Sequence, residues 1–326
     1  MKYRKFANTN TKISRLSLGT WSLGGATPGN TSYGNISKKI AKNIIAKAFD
    51  LGVNLFDTSP TYGFSQKILG EYFKKKRDKI IFSSKVGLEN YHEKKNFSKK
   101  FLNMQIYKIL KELRTDYIDF IKLYNPDPLD KNLLDGYDEL KRLQEKGLIK
   151  NIGASLQSPL DLLKFNKNIK LDVIQCNFNL LDTRIINNKI LNFAKSKNIG
   201  IIVRTIYSFG FFTEDFLKNK KFRLKLKKND HRKRWSKIQI NNWIKGLTEI
   251  KKNIVEKDKI ENIATRFVNS FDFISSSLIG VQNLNELKNN LNNQNFLSLR
   301  KKSINKIVNI NKKNIFIDNK TPKRII

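Results

Sequence analysis

Asp57, Tyr62 and Lys85 are residue types that together can move a proton. Asp57 and Tyr62 stand in Asp57-Thr58-Ser59-Pro60-Thr61-Tyr62-Gly63, and Lys85 ends the run Lys79-Ile80-Ile81-Phe82-Ser83-Ser84-Lys85. A free phenol, with a pKa of ~10, is a poor base at neutral pH. It needs an ammonium beside it to stabilise the phenolate, and a carboxylate to hold and balance that ammonium. Side chains placed just after successive strands meet only where those strands lie side by side, so this chemistry demands a particular kind of sheet.

The elements that could build it are legible. Short β-branched or apolar runs occur at 15–21, 53–57, 79–85, 117–124, 149–155, 172–178, 200–206 and 275–281. Amphipathic stretches separate them at 37–51, with Ser37 as N-cap, and at 66–76, 99–113 and 134–146, the last ended by Gly147. A short run at 159–165 and a longer one at 183–197 close further units, and 212–270 holds a basic loop and two helices. This alternation predicts βα units with a parallel sheet, and eight strands predict a closed (β/α)8 TIM barrel, one domain over 1–326. Residues 3–13, with Asn8-Thr9-Asn10 in the middle, predict an N-terminal β-hairpin plugging the barrel floor. The basic tail after Leu299 predicts a C-terminal extension packed outside. Loops after the strands form the catalytic face of such a barrel. Asp57, Lys85, Tyr124, Ser155 and Gln175 all fall at that face, although each alone has an ordinary reading as a cap, an ion pair or a solvated side chain.

Composition narrows the partners. The formal charge of +36 is of a size that often marks nucleic-acid binding. Here it is spread along the chain, and Lys, Asn, Ile and Phe are abundant together, as an AT-rich coding bias would produce. No module of interleaved aromatic and basic residues accompanies it. A small-molecule substrate is the expected partner, without specific nucleic acid or membrane. The basic start Met1-Lys2-Tyr3-Arg4-Lys5-Phe6 has no apolar segment behind it and no run could span a bilayer, which predicts a cytoplasmic protein. The single cysteine, Cys176, leaves no internal disulfide, and no Cys/His cluster has metal-site spacing, so redox chemistry would come from a cofactor.

In order and spacing, several stretches resemble the aldo-keto reductase superfamily over nearly the whole chain. They include Leu16-Ser17-Leu18-Gly19-Thr20-Trp21, Gly52-Val53-Asn54-Leu55-Phe56-Asp57-Thr58 with Tyr62-Gly63, and Ser84-Lys85-Val86-Gly87. Further along come Asp116-Tyr117-Ile118-Asp119 leading to Asn125-Pro126-Asp127, Ile152-Gly153-Ala154-Ser155, the stretch from Gln175 to Asp182, and 280–291. The resemblance implies a (β/α)8 barrel that binds NADP or NAD without a Rossmann domain. It also implies a catalytic tetrad of Asp, Tyr, Lys and His, which maps onto Asp57, Tyr62 and Lys85, with Tyr62 as general acid for reduction and base for oxidation.

The fourth position departs from the pattern, because Leu123-Tyr124 stands where the family carries Leu-His. A second phenol can donate a hydrogen bond but does not titrate near neutrality as imidazole does. Strand alternation would aim Lys122 the same way as Tyr124, two residues deeper. A buried lysine needs a partner or a depressed pKa, so a bulge turning it elsewhere is the expectation, with a Lys122 under Tyr124 as the alternative. His92 and His231 lie in loops and are expected to be solvated.

By the same resemblance, Thr20, Trp21, Ser155 and Gln175 are cofactor-binding residues, the last two hydrogen-bonding the nicotinamide carboxamide. The Asn that usually follows that Ser is replaced by Leu156. Arg204 falls where a side chain stacks on the nicotinamide, and Ser208 and Gly210 match the pyrophosphate loop. At the adenosine end, Gly280, Gln282, Glu286 and Asn290 occupy a pattern in which NADP binding would want an Arg at position 282, and this tilts the reading toward NAD. Three functions result. The first is an NAD(P)-dependent oxidoreductase for a polar, sugar-like or anionic metabolite drawn in by the basic loop 218–237. The second is a catalytically impaired cofactor-binding regulatory or accessory protein, and the third is a nucleic-acid binder.

Overall fold

The computed structural model describes residues 1–7, 9–27, 33–34, 36–218, 230–292, 296–314 and 316. Most of the basic loop, from Lys220 to Lys228, lies outside the described residues, as does Asn8 of the hairpin turn.

Strands β1 (Tyr3–Lys5) and β2 (Lys12–Ser14) pair antiparallel, with Tyr3 opposite Ser14. The barrel follows: β3 (Leu16–Gly19), β4 (Leu55–Asp57), β5 (Ile81–Val86), β6 (Ile118–Tyr124), β7 (Ile149–Ser155), β8 (Val173–Asn177), β9 (Gly200–Arg204) and β10 (Ser276–Ile279). These eight run parallel in chain order, and β10 closes on β3. The predicted strands all exist, shortened by a few residues at most of their ends, where the backbone leaves the ladder for the βα loops.

Alternation along each strand divides the side chains. Leu55, Ile81, Phe120, Val173, Ile202 and Leu278 point inward as an apolar floor layer, joined by Phe6 and Ile13 of the hairpin. The Phe6 ring packs 4.7 Å from that of Phe120. Gly200 leaves room for this plug, since a Cβ there would lie 2.0 Å from the Phe6 ring. Outward residues such as Phe56, Phe82, Ile121, Leu123, Ile174 and Val203 pack in the main core, which extends under the helices. Above the floor layer the inward positions turn polar, and there the site is built.

The helices are α1 (Lys38–Asp50), α2 (Ser65–Phe73), α3 (Lys99–Leu113), α4 (Leu133–Glu145), α5 (Asn188–Ser196), α6 (Glu214–Lys218), α7 (Lys237–Asn253), α8 (Ile260–Asn269), α9 (Leu284–Asn290) and α10 (Lys301–Lys313). Ser37 caps α1 by accepting from Ile40 N at 3.2 Å, as its residue type predicts. The run at 159–165 forms a 3-10 turn rather than an α-helix, started by a Ser158/Asp161 capping box and Pro159. The basic tail becomes α10, whose Asn311 donates to Leu180 O at 2.8 Å on the outside of the barrel. Among the described residues no helix is long and apolar enough to cross a membrane.

Candidate active site

Asp57 ends β4, and its carboxylate gathers donors from three other strands. Lys85 Nζ of β5 donates to Oδ1 at 2.6 Å, and Ser83 Oγ of β5 and Gln175 Nε2 of β8 each donate to Oδ2 at 3.0 Å. Oδ2 also accepts from the ammonium of Lys122 on β6. Lys85 spends a second proton on Thr58 O at 3.0 Å, and Lys122 a second on Ser83 Oγ at 2.5 Å. All of these side chains are buried. Burial pushes the Asp57 carboxyl up, but Lys122 and Lys85 outweigh it and hold the group well below the usual carboxylate range. Burial pulls Lys85 down to about 7 against the attraction of Asp57, with Lys122 adding a like charge. Lys122 is lowered by the same desolvation.

The bulge expected at Lys122 is absent. β6 runs unbroken, with Lys122 opposite Lys85 on one side and Gly153 on the other, so its side chain enters the barrel between Phe120 and Tyr124. What makes this tolerable is Oδ2 of Asp57, a counter-charge from a strand two places away.

Tyr62 sits in the loop after β4, with Lys85 Nζ 4.7 Å from its ring centre. Two glycines fix that loop. A Cβ on Gly24 would lie 1.9 Å from Tyr62 O, and one on Gly63, at φ +57°, would lie 2.1 Å from Gly24 O. Phe64 N donates to Gly24 O at 3.0 Å across this close approach. Burial pushes the Tyr62 phenol well above its ordinary value, Tyr124 and Asp57 add to the rise, and Arg204 opposes it.

Tyr124, at the end of β6, is hydrogen-bonded to Tyr91 from the loop after β5. Tyr91 Oη in turn accepts from Thr61 Oγ1 at 3.1 Å, and Thr61 Oγ1 lies 2.9 Å from Ser59 Oγ. A row of hydroxyls thus runs from the Tyr62 loop to Tyr124. Tyr91 carries no sequence signal beyond being an aromatic in a βα loop, and it was not anticipated.

These residues face a cavity of about 570 Å³ whose wall includes Asp57, Tyr62, Lys85, Tyr91 and Tyr124. Of the residues expected at a cofactor, Trp21, Ser155, Gln175, Arg204 and Gly210 line it, and Gly280, Gln282, Glu286 and Asn290 line its other end. Thr20 and Ser208 are not on the wall. Thr20 Oγ1 donates to Asp57 O at 2.9 Å and so ties β3 to β4, whereas Ser208 is buried in a turn at φ +42°. The amides of Ser208, Gly210 and Phe211 are taken up by carbonyls of that turn.

Gln175 provides a test of fit for a nicotinamide. With Nε2 turned to Asp57, its buried Oε1 finds no partner among the described residues, and a carboxamide NH2 suits that acceptor. Arg204 is anchored by Nη1 on Asn177 Oδ1 at 2.5 Å and by Nη2 on Leu156 O at 3.1 Å, which holds its guanidinium plane at the wall. Ser155 Oγ donates to Asn125 Oδ1 at 3.4 Å. Glu286 accepts from Gln282 N at 2.8 Å and from Asn283 Nδ2 at 2.7 Å, a capping arrangement at the start of α9.

His92 is exposed, but His231 is not. It is 5% exposed, with the rings of Tyr33, Trp21 and Phe209 at 4.3, 4.5 and 5.3 Å. The 3-10 turn His231–Arg234, closed by Arg232 on Asp230 at 2.6 Å, presses the imidazole into this aromatic cluster. It is absent from the cavity wall. Among the described residues no group of His, Cys, Asp and Glu could hold a metal ion.

Comparison with known proteins identifies the family and the fold. The profile of the aldo/keto reductase family matches residues 15–312. Aldo-keto reductase YhdN of Bacillus subtilis is 32% identical over 227 residues, 66% of each chain, so the match spans just under two thirds of that relative's length. The NADH-specific methylglyoxal reductase of Escherichia coli K12 is 28% identical over 231 residues, 65% of this chain and 69% of the other. In structure, the aldo-keto reductase AKR11C1 of Bacillus halodurans in its holo form superposes with a TM-score of 0.76 at 19% identity, covering 95% of this chain and 96% of that one.

Proposed function

We propose that this chain, which belongs to the aldo/keto reductase family, is an NAD(P)-dependent oxidoreductase that interconverts a carbonyl and an alcohol on a small polar metabolite. The observation that carries this reading is the Asp57–Lys85 ion pair beneath Tyr62, on the same cavity wall as the unpartnered Gln175 Oε1. Bound nicotinamide would supply or accept the hydride at the substrate carbon. Gln175 and Ser155 would hold its carboxamide, and Arg204 would stack on its ring.

In the reductive direction Tyr62 gives its proton to the carbonyl oxygen, and in the oxidative direction it takes one from the alcohol. The phenol is costly to ionise where it stands; Arg204 opposes that cost, and the Lys85 ammonium, 4.7 Å from the ring centre, is the nearest cation that can offset it during transfer. Tyr124 occupies the position at which the family carries histidine, and serves as a hydrogen-bond donor to the substrate oxygen. The hydroxyls of Ser59, Thr61 and Tyr91 support it, because each bond in such a row polarises the next. The walls formed by Trp21, Tyr62, Tyr91 and Tyr124 combine aromatic faces with hydroxyl groups. That combination suits a sugar-like or small hydroxylated carbonyl compound. Glu286 places a carboxylate at the adenosine end and favours NAD over NADP.

Fluorescence titration with NADH and NADPH, followed by single-turnover measurements over aldehydes, ketones and sugars, tests the proposal. The expected result is cofactor binding with hydride transfer to a polar carbonyl. Tight binding without transfer across the panel would favour the accessory reading, for which the second phenol at Tyr124 is the supporting observation. Failure to bind either cofactor would overturn both.

A further inference from the structure

Two lysines share one carboxylate at the centre of this barrel. Lys85 holds Oδ1 of Asp57 and Lys122 holds Oδ2, and both ammonium groups are buried, at 1% and 0% exposure. With one lysine the pair would be neutral; with two, the cluster carries an uncompensated positive charge in a medium of low dielectric. A structural ion pair does not need the second ammonium, and an apolar side chain would fill the same volume above Phe120.

We propose that Lys122 is a positioning residue of the proton-transfer site, dividing Asp57 between two ammonium groups so that Lys85 acts on Tyr62 with a charge that its carboxylate no longer cancels. This rests on the reading of Tyr62 as the proton donor and acceptor. The groups that face Lys122 are few and can be named. They are Asp57 from β4, Ser83 and Lys85 from β5, Gln175 from β8 and Arg204 from β9, with Ser155 further along β7 and Phe120 and Tyr124 along its own strand. Gly153, next to it on β7, contributes no side chain. Asp57 is the only carboxylate in that set, against Lys85, Arg204 and Lys122 itself.

Two consequences follow. The negative charge of Asp57 disfavours a phenolate at Tyr62, and Lys122 offsets it from below. In addition, burial, joined by the like charge of Lys122, lowers the pH at which Lys85 gives up its own proton to about 7 against the attraction of Asp57. A titration near neutrality therefore returns to the site through a lysine, where the family pattern has an imidazole to supply it.

The test is the titration of lysine side chains by NMR in 13C-labelled protein, set beside the pH profile of hydride transfer, in the wild type and in Lys122→Met. Exposed lysines titrate near ~10.4 and leave the neutral range clear. In the wild type a buried lysine is expected to titrate near neutrality. In K122M the Lys85 midpoint should rise by about one pH unit or more, and the high-pH limb of the reductive profile should rise with it. Lys122→Gln keeps a donor for Asp57 and Ser83 without the charge. It should give the same shift and covers the case in which K122M does not fold. A folded variant whose lysine titration coincides with that of the wild type overturns the inference. The NMR midpoint needs no turnover, so a shift with no reaction on any substrate would sustain the role of Lys122 while refuting the oxidoreductase reading.

Discussion

The Lys85 ammonium lies 4.7 Å from the centre of the Tyr62 ring while bonded at 2.6 Å to Asp57 Oδ1. The lysine is fixed from below by the carboxylate and from the side by Thr58 O, so its charge is held against the phenol without relying on the phenol for its position. Replacing Tyr62 by Phe should leave this scaffold intact. Tyr62→Phe is expected to lower kcat by about 10²- to 10⁴-fold, the usual share of a general acid, with NADH affinity unchanged. Retention of more than about a tenth of wild-type turnover would assign the proton to another group.

Asp57 is the one carboxylate among those buried cations. Asp57→Asn leaves two buried ammonium groups without a counter-charge, and a loss of about 3–5 kcal/mol in urea-unfolding free energy is expected at pH 6. The signs with pH are opposite for the two kinds of group. The depressed Asp57 carboxyl contributes stability that is fully present above its unfolded pKa of ~4 and lost as pH falls through its lower folded value. The depressed Lys85 is a cost that is fully present below about 7 and relieved as pH rises from there toward the unfolded value. Wild-type stability should therefore climb above neutrality at this site, and in the variant the climb should begin at lower pH. Equal melts of the two proteins at pH 6 would contradict the network.

The Tyr91–Tyr124 hydrogen bond predicts coupling between a loop phenol and one at the end of β6. If Tyr124 donates to the substrate oxygen as proposed, Tyr124→Phe should cost about 10²-fold in kcat, the scale of a lost oxyanion donor. Tyr91→Phe only stops supporting that donor and should cost less than about tenfold, the upper scale of one net hydrogen bond. Since the second acts through the first, the double variant should be no slower than Tyr124→Phe alone. Additive losses would mean that each phenol touches the substrate independently.

The barrel is legible in the sequence because its strands are short apolar runs at regular spacing, and Asp57, Lys85 and Tyr124 are legible because they end such runs. Lys122 shows where local reading stops. Alternation aims it inward, yet the cost of burying a charge argues for a bulge, and the deciding partner is Asp57, 65 residues earlier in the chain. Pairing across strands of that separation leaves no trace in the local pattern. His231 failed differently. A lone histidine in a basic segment looks solvated, and only the packing of its turn against Trp21 and Tyr33 buries it. Tyr91 reaches the site from a loop whose course has no periodicity to read.

Glu286 isolates one charge for a test of cofactor choice. Its oxygens accept from Gln282 N and Asn283 Nδ2 at the start of α9, and glutamine at the same position can keep a capping bond to the backbone. Glu286→Gln thus removes the negative charge with little change to the local fold. If the carboxylate repels the 2′-phosphate, removing it should tighten NADPH binding by about fivefold, the scale of ~1 kcal/mol for an exposed charge pair. NADH has no phosphate there, and its affinity should change by less than about twofold. The effect on NADPH should shrink as salt is raised, because the groups are open to solvent and their interaction is screened. Fluorescence titration of both cofactors at low and high ionic strength measures all three quantities. Equal changes for NADH and NADPH would show that Glu286 serves the loop alone and that cofactor choice is made elsewhere.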